Sequence, residues 1–241
     1  MPPWSQLNEK KTRLDALRPL RESSIRSLME ALDVELVYSS NAVEGNTLTL
    51  QETSAVLLHG VTVAGKPLKD HLEAVNLASA WKHVKELAKV SAPLSEKELL
   101  ELHTLVLGKD DPAAGHYRSV PVFIRGSKHV PPNARIVPEK MEQLFAMDRT
   151  GEHAVEQAAN LHEALVTIHP FVDGNGRTAR LVMNLLLMRA GFPPLRIQPE
   201  HRAAYFTALD ECRFGSPKAY VEWIAAQAEA ELDFWLGALA S

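Results

Sequence analysis

The chain has a single cysteine, Cys212. No internal disulfide can form and no cysteine cage for zinc can be built, which suits a reducing compartment. Also missing is any uninterrupted apolar run approaching the roughly 20 residues needed to cross a bilayer. The opening Met1-Pro-Pro-Trp-Ser-Gln-Leu-Asn-Glu-Lys-Lys11 has no apolar stretch after its charges and does not read as a secretory signal. A large excess of charge of one sign is missing too. A net −4 argues against a broad surface for nucleic acid or anionic membrane, while leaving room for a local basic cluster that holds a small phosphate ligand. There is no repeat period and no low-complexity linker. The absences together lead us to expect a cytoplasmic protein with neither nucleic acid nor membrane as partner.

What is present is ordinary globular material, 46% hydrophobic and 23% charged, in a length of 241 residues that supports one substantial core. Helical periodicity dominates. Leu20, Ile25, Leu28, Leu32, Leu36 and Val37 make one amphipathic stripe over residues 20–44, stopped by Gly45-Asn46. Further helices are predicted over 50–59, closed by Gly60, and over 69–89. Another is opened by a Ser95/Glu98 capping box and runs to Leu107. Helical texture returns over 139–149, 152–168, 178–190, 200–212 and 217–239. Between them, 110–138 is rich in proline and glycine. Val120-Pro-Val-Phe-Ile124 is its only convincing strand-like run, followed by a turn at Gly126-Ser127. The expectation is a small irregular β-hairpin whose first strand Pro121 confines to an edge. The fold class expected is all-α, one domain over 1–241, bearing that hairpin.

The chemistry concentrates in His169-Pro-Phe-Val-Asp-Gly-Asn-Gly-Arg-Thr-Ala-Arg180, between two strongly helical segments. Pro170 ends the upstream helix. Gly174 and Gly176 around Asn175 allow tight backbone turns and close approach of a ligand. The loop delivers unsatisfied N–H groups at the start of the next helix, an anion site by construction. Arg177 and Arg180 share a face of that helix and add fixed positive charge. Asp173 makes sense beside phosphates if Mg²⁺ bridges it to their oxygens. His169 stands at the loop entrance, where a neutral imidazole takes a proton from an attacking hydroxyl. Singly, each has a plainer reading: a structural histidine, a turn, a solvated pair of arginines. Their convergence within twelve residues, ahead of a very apolar helix, points to a polyphosphate site.

Those residues match, without gaps, the signature His-x-Phe-x-Asp/Glu-Gly-Asn-Gly-Arg-x-x-Arg, and the chain resembles the Fic family. Gly115-His-Tyr-Arg118, Gly126 and His129-Val-Pro-Pro132 resemble that family's hairpin, its flap, over about 115–132. Ala190-Gly-Phe-Pro-Pro194 resembles the turn after its motif helix. The resemblance implies a Fic-type helical bundle and AMP transfer from ATP to a hydroxyl of a target protein. His169 is the implied base, and Asp173 the implied holder of Mg²⁺. Gly174, Asn175 and Gly176 bind phosphates, Arg177 and Arg180 grip the β- and γ-phosphates, and Phe171 anchors the loop. Phosphorylating Doc-type relatives carry lysine where this chain has Gly176, which favours AMP transfer over phosphate transfer.

Ser40-Asn-Ala-Val-Glu44-Gly45 resembles the family's inhibitory motif, in a helix of about 20–45. The resemblance pairs Glu44 with Arg180 and makes it a brake on the γ-phosphate. Ser40, one helical turn away, is placed to steady Glu44. In some relatives the same glutamate supports removal of AMP from the target, a second expected activity. Tyr205 and Phe206 are candidates to stack adenine, with Phe206 the better aligned. The polar residue that reads adenine in relatives falls on Arg213, a departure. The hairpin edge at Val120, Val122 and Ile124 is where a target segment, its identity unknown, would add as a strand. His162 reads as support for core or loop. Self-association through exposed apolar stripes of the helices is left open. Two readings compete: a metal-dependent phosphohydrolase using His162, His169 and Asp173, and a non-catalytic ATP-binding adaptor locked by Glu44.

Overall fold

The computed structural model describes residues 4–18, 22–124 and 127–240. Ten α-helices occupy them: α1 (Trp4–Ala16), α2 (Glu22–Glu44), α3 (Leu50–His59), α4 (Leu68–Leu87), α5 (Glu96–Leu107), α6 (Val137–Ala146), α7 (Ala154–Ile168), α8 (Asn175–Arg189), α9 (Arg202–Phe214) and α10 (Ala219–Ala240). One cluster of buried apolar side chains runs from Leu7 of α1 to Trp235 of α10.

Helix α8 is the axis of the bundle. Thr178, Ala179, Leu181, Val182, Met183, Leu185 and Leu187 are all buried, as are Arg177, Arg180 and Asn184, so it is enclosed nearly all round and needs neighbours on every side. Those neighbours are α7, α4, α5 and α2, while α10 joins α7, α9 and α1. The local stops and starts follow the chain's polar punctuation. Ser95 and Glu98 form the reciprocal capping box, Thr49 and Glu52 form a second, and Gly60 closes α3 at φ 65°.

Nine of the ten helices lie where periodicity predicts, within a turn at each end; Leu20, the first residue of the predicted stripe, falls outside the described residues. Helix α1 is the omission. It buries only Leu7 and Leu14, too sparse a stripe to stand out, and it is held by packing against α10 and by Lys10 to Glu229 and Asp233.

The hairpin is corrected. Among the described residues no strand forms, and 119–124 and 127–133 lack regular structure; the turn residue Gly126 lies outside them. Pro121, Pro131 and Pro132 bring no N–H to a ladder. The returning arm is instead held by side chains: Ser127 Oγ donates to Asp210, and the His129 ring lies 2.8 Å from the carbonyl of Thr167. Among the described residues no helix is long and apolar enough to cross a membrane.

Candidate functional site

The loop between α7 and α8 is bent at His169, the one non-glycine residue with positive φ among those described (φ 52°, ψ 60°). A left-handed residue with a side chain costs on the order of 1–2 kcal/mol, so its surroundings must hold it. They do so from both sides. Its N–H caps α7 on the Leu165 carbonyl at 2.9 Å. Its own carbonyl accepts from Arg118 Nε at 2.8 Å. Arg118, 3% exposed, also donates to the carbonyls of Val120 and Pro132, and its N–H to Pro170. One guanidinium therefore ties the flap segment to the loop. The imidazole Nδ1 lies 3.2 Å from the Val166 carbonyl, so Nδ1 carries the proton and Nε2 keeps a free lone pair. Burial, with the nearby charge of Arg118, pushes the ring's pKa below the ordinary histidine value. That shift favours the neutral ring, whose Nε2 is the nitrogen able to accept a proton.

Below the bend the loop is braced internally. Phe171 is buried and stacks on His103 with ring centroids 3.6 Å apart. The Asn175 side chain closes a ring with the backbone of Phe171, accepting from its N–H at 2.9 Å and donating to its carbonyl at 3.0 Å. That side chain is spent on the loop, so anything Asn175 offers a ligand comes from its backbone N–H. Gly174 caps α8 at φ 75° with no side-chain cap. The N–H groups of Asn175, Gly176 and Arg177 have no helical acceptor and stand free at the positive end of the helix.

Asp173 is the half-exposed acid of the loop. Its Oδ1 accepts from the Gly174 N–H at 2.6 Å and sits 3.4 Å from Arg177. Partial burial pushes its carboxyl up, but Arg177, the Gly174 N–H and Lys69 outweigh this and hold it below the usual carboxylate range. It is an anion with one oxygen, Oδ2, approached among the described residues only by Lys69 at 3.9 Å. Arg177 itself is buried, pairs with Glu73 at 3.2 Å, and keeps Nε without a hydrogen-bond partner.

Arg180 meets the end of α2. Its Nη2 lies 2.8 Å from Glu44 Oε1, its Nε donates to Ser40 Oγ at 2.9 Å, and Nη2 donates to the Ser40 carbonyl at 2.8 Å. Ser40 thus holds Arg180, where the sequence reading has it steadying Glu44. The guanidinium is 4% exposed. Burial opposes its charge, and Glu44 more than restores it. Glu44 also lies close against Gly176. A Cβ at that position would lie 2.1 Å from Glu44 Oε1.

His169, Glu44 and Gly176 face a cavity of about 260 Å³ whose far wall is α9, through Arg202, Phe206, Leu209, Asp210 and Arg213, with Ile124 and Ser127 beside it. Phe206 and Tyr205 are both aromatics of the cavity wall. Tyr205 turns inward, its hydroxyl 3.1 Å from His162 Nε2, while the Tyr220 hydroxyl lies 2.8 Å from Nδ1. Both nitrogens of the fully buried His162 are therefore occupied. It braces the core and cannot join His169 and Asp173 around a metal.

Three residues of the site escaped sequence reasoning, His103, Glu73 and Arg202, and Arg118 entered it only as part of the flap resemblance, without its role. His103 Nδ1 accepts from the Gly115 N–H at 2.9 Å, so its Nε2–H donates to the Asp173 carbonyl at 3.0 Å. Only its place on the buried face of α5 hinted at such a role. Burial lowers its pKa from 6.5 to about 4. The unfolded chain therefore binds a proton below pH 6.5 that the folded chain refuses. Stability contributed by the neutral ring is present above pH 6.5, is lost as pH falls, and levels off near pH 4. The expected loss is up to about 3 kcal/mol. Urea unfolding at pH 7 and pH 4.5 measures it, and His103→Gln should flatten part of the slope.

A family profile described as "Fic/DOC family" matches residues 93–187. The chain is 38% identical over 237 residues to the protein adenylyltransferase Fic of Nematostella vectensis, covering 96% of this chain and 55% of that protein. Among solved structures, Fic-1 (residues 134–508) from C. elegans superposes with a TM-score of 0.86 at 32% identity, over 98% of this chain and 72% of that one. A Fic domain containing signalling protein from Bacteroides thetaiotaomicron gives 0.87 at 28% identity, over 97% of each chain. The chain spans about half the length of the curated relatives it matches.

Proposed function

Because this chain belongs to the Fic/DOC family, we propose that it is a protein adenylyltransferase, moving the AMP part of ATP onto a hydroxyl side chain of another protein. The observation that carries this reading is a neutral His169, its Nε2 lone pair free at the cavity, beside a helix start with unsatisfied N–H groups and two arginines. The target hydroxyl gives its proton to His169 Nε2 as its oxygen bonds the α-phosphorus. The bond from that phosphorus to the bridging oxygen breaks, and pyrophosphate leaves. The N–H groups of Asn175 and Gly176, with Gly174 shaping the turn, cradle phosphate oxygens. Arg177 and Arg180 neutralise the β- and γ-phosphates. Asp173 suits Mg²⁺, a single carboxylate with an oxygen to spare beside a phosphate site, and the ion's charge would offset that of the triphosphate.

In this reading residues 1–241 act as one unit, with α2 as its brake: Glu44 holds the guanidinium that a γ-phosphate needs. The same carboxylate, near His169, suits it to orient a water for the reverse reaction, release of AMP from a modified target. Phe206 stacks the adenine. Val120, Val122 and Ile124 offer backbone groups to which a target segment pairs, supplying the ladder that the free flap lacks. Exposed Leu68, Leu72 and Val75, at helical spacing on α4, suit self-association. The test is Glu44→Gly protein incubated with ATP and Mg²⁺, with the adduct located by mass spectrometry. AMP on a hydroxyl side chain is expected. ATP bound tightly with no adduct on protein would instead fit a nucleotide-binding adaptor, and free AMP alone a hydrolase.

A further inference from the structure

Each arginine at the start of α8 meets a carboxylate from another helix. Glu44 of α2 reaches Arg180, and Glu73 of α4 reaches Arg177, its Oε1 3.2 Å from Nη1. The two acids are placed differently. Glu44 lines the cavity and its side chain is 37% exposed, so an arriving ligand can displace it. Glu73 is 16% exposed and, among the described residues, is not part of that cavity wall. It is also held from its other side. Its Oε2 accepts from Asn46 Nδ2 at 2.9 Å, and the same nitrogen lies 3.1 Å from the Asp70 carbonyl. Glu73 is a fixed anion where Glu44 is a movable one.

Arg177 needs such an anion. Its guanidinium is buried, and its contact with the loop's own acid is long, 3.4 Å from Nη2 to Asp173 Oδ1. A buried charge with a single counter-ion within reach would close on it, because an unpaired buried charge is costly. Without Glu73, that counter-ion is Asp173. Glu73 draws on the other terminal nitrogen and keeps the guanidinium between α4 and the loop. The chemistry of residue 73 is constrained as well. It faces two donors, the Asn46 amide and the Arg177 guanidinium, and a carboxylate presents an acceptor to each. The amide of a glutamine would turn its N–H₂ toward one of them.

We infer that Glu73 is a positioning residue: it sets the guanidinium of Arg177 at the start of α8 and keeps it from collapsing onto Asp173, so that both groups stay free for the β,γ-phosphate end of the nucleotide. Glu73 touches no ligand itself and acts through Arg177. It is not a second brake, since it lies off the cavity wall and blocks no phosphate. This step rests on the nucleotide reading given above.

The test is calorimetry with ATP and with AMP, both in Mg²⁺, on Glu44→Gly/His169→Ala protein, which lacks the base and so leaves ATP intact. ATP carries the two phosphates that AMP lacks, so the ratio of the affinities isolates the part of the site that Arg177 serves. Glu73→Gln should lower the ratio of ATP to AMP affinity roughly tenfold, the worth of one charge-assisted contact. The direction decides. Removing a negative charge near a triphosphate favours ATP by itself, so a loss of charge alone, or the release of a second brake, would raise the ratio. Glu73→Asp, which keeps the charge, should retain more of the ratio than Glu73→Gln. With Arg177→Ala added, Glu73→Gln should no longer lower the ratio, because nothing is left to position. A ratio that rises or stays unchanged with Glu73→Gln, or that falls equally without Arg177, overturns the inference and leaves the nucleotide site intact. No uptake of ATP by the Glu44→Gly/His169→Ala protein overturns both.

Discussion

Glu44→Gly protein is expected to label itself with AMP from ATP at least tenfold faster than the unaltered chain. The expectation follows from what Arg180 has to spend. Its guanidinium is 4% exposed and is committed on three contacts, two to Ser40 and one to Glu44. A γ-phosphate arriving at the same guanidinium must displace the carboxylate, or lie where its negative charge is repelled. A charge-assisted hydrogen bond of this kind contributes about 1.5–3 kcal/mol, so its removal converts to roughly ten- to a hundredfold. Glycine at 44 leaves the Ser40 contacts in place, and Arg180 stays aimed at the start of α8. It also removes the atom that now lies where a Gly176 side chain would be, which opens the approach to the free N–H groups. Self-labelling of the two proteins with α-labelled ATP reads the difference. Equal rates would mean that the ion pair between α2 and α8 is structural only.

The second large effect is the loss of transfer in His169→Ala, by roughly 10²–10⁴-fold, the range over which a positioned general base contributes. Its cost to stability should be small, because Arg118 and the Leu165 carbonyl hold the backbone of residue 169 and not its ring. Nucleotide affinity should also survive, since the phosphate-binding N–H groups belong to α8. The unaltered base predicts a pH profile as well. Burial favours the neutral ring, so its pKa is below the ordinary 6.5. The rate should hold through neutrality and fall on the acid side only below that value, as His169 takes a proton from solvent and can no longer accept one from the target. A rate that still climbs well above pH 7 would place the essential base elsewhere.

The site was legible in the sequence where its chemistry is local. Pro170, Gly174 and Gly176 predict a turn feeding a helix start, and α8 begins at Asn175 after a left-handed Gly174. The stripe of α2 and its stop at Gly45 were equally readable, because periodicity and a helix terminator act over a few residues. That Glu44 meets Arg180 could come only from the family resemblance; helix α2 and the loop lie far apart in the chain, and no local pattern records their packing. The same distance hid His103, which looks like an unremarkable polar residue until the fold brings it beneath the loop, and the contacts of Arg118, which the sequence places only in the flap. Ser40 shows the limit of helical spacing. One turn from Glu44 is a correct placement, yet the hydroxyl turns to Arg180 on another helix. The flap failed for a different reason: alternating Val120, Val122 and Ile124 encode a strand's faces, but a strand also needs a partner, and the returning arm is bound to Asp210 and Thr167.

The position of the label in ATP tests the account most directly. Glu44→Gly protein is offered ATP labelled at the α-phosphate in one reaction and at the γ-phosphate in another, each with Mg²⁺. Protein-bound label from the α-phosphate alone, lost when His169 is replaced by alanine, is the predicted result. Label retained from the γ-phosphate, or from neither, would contradict AMP transfer by this loop.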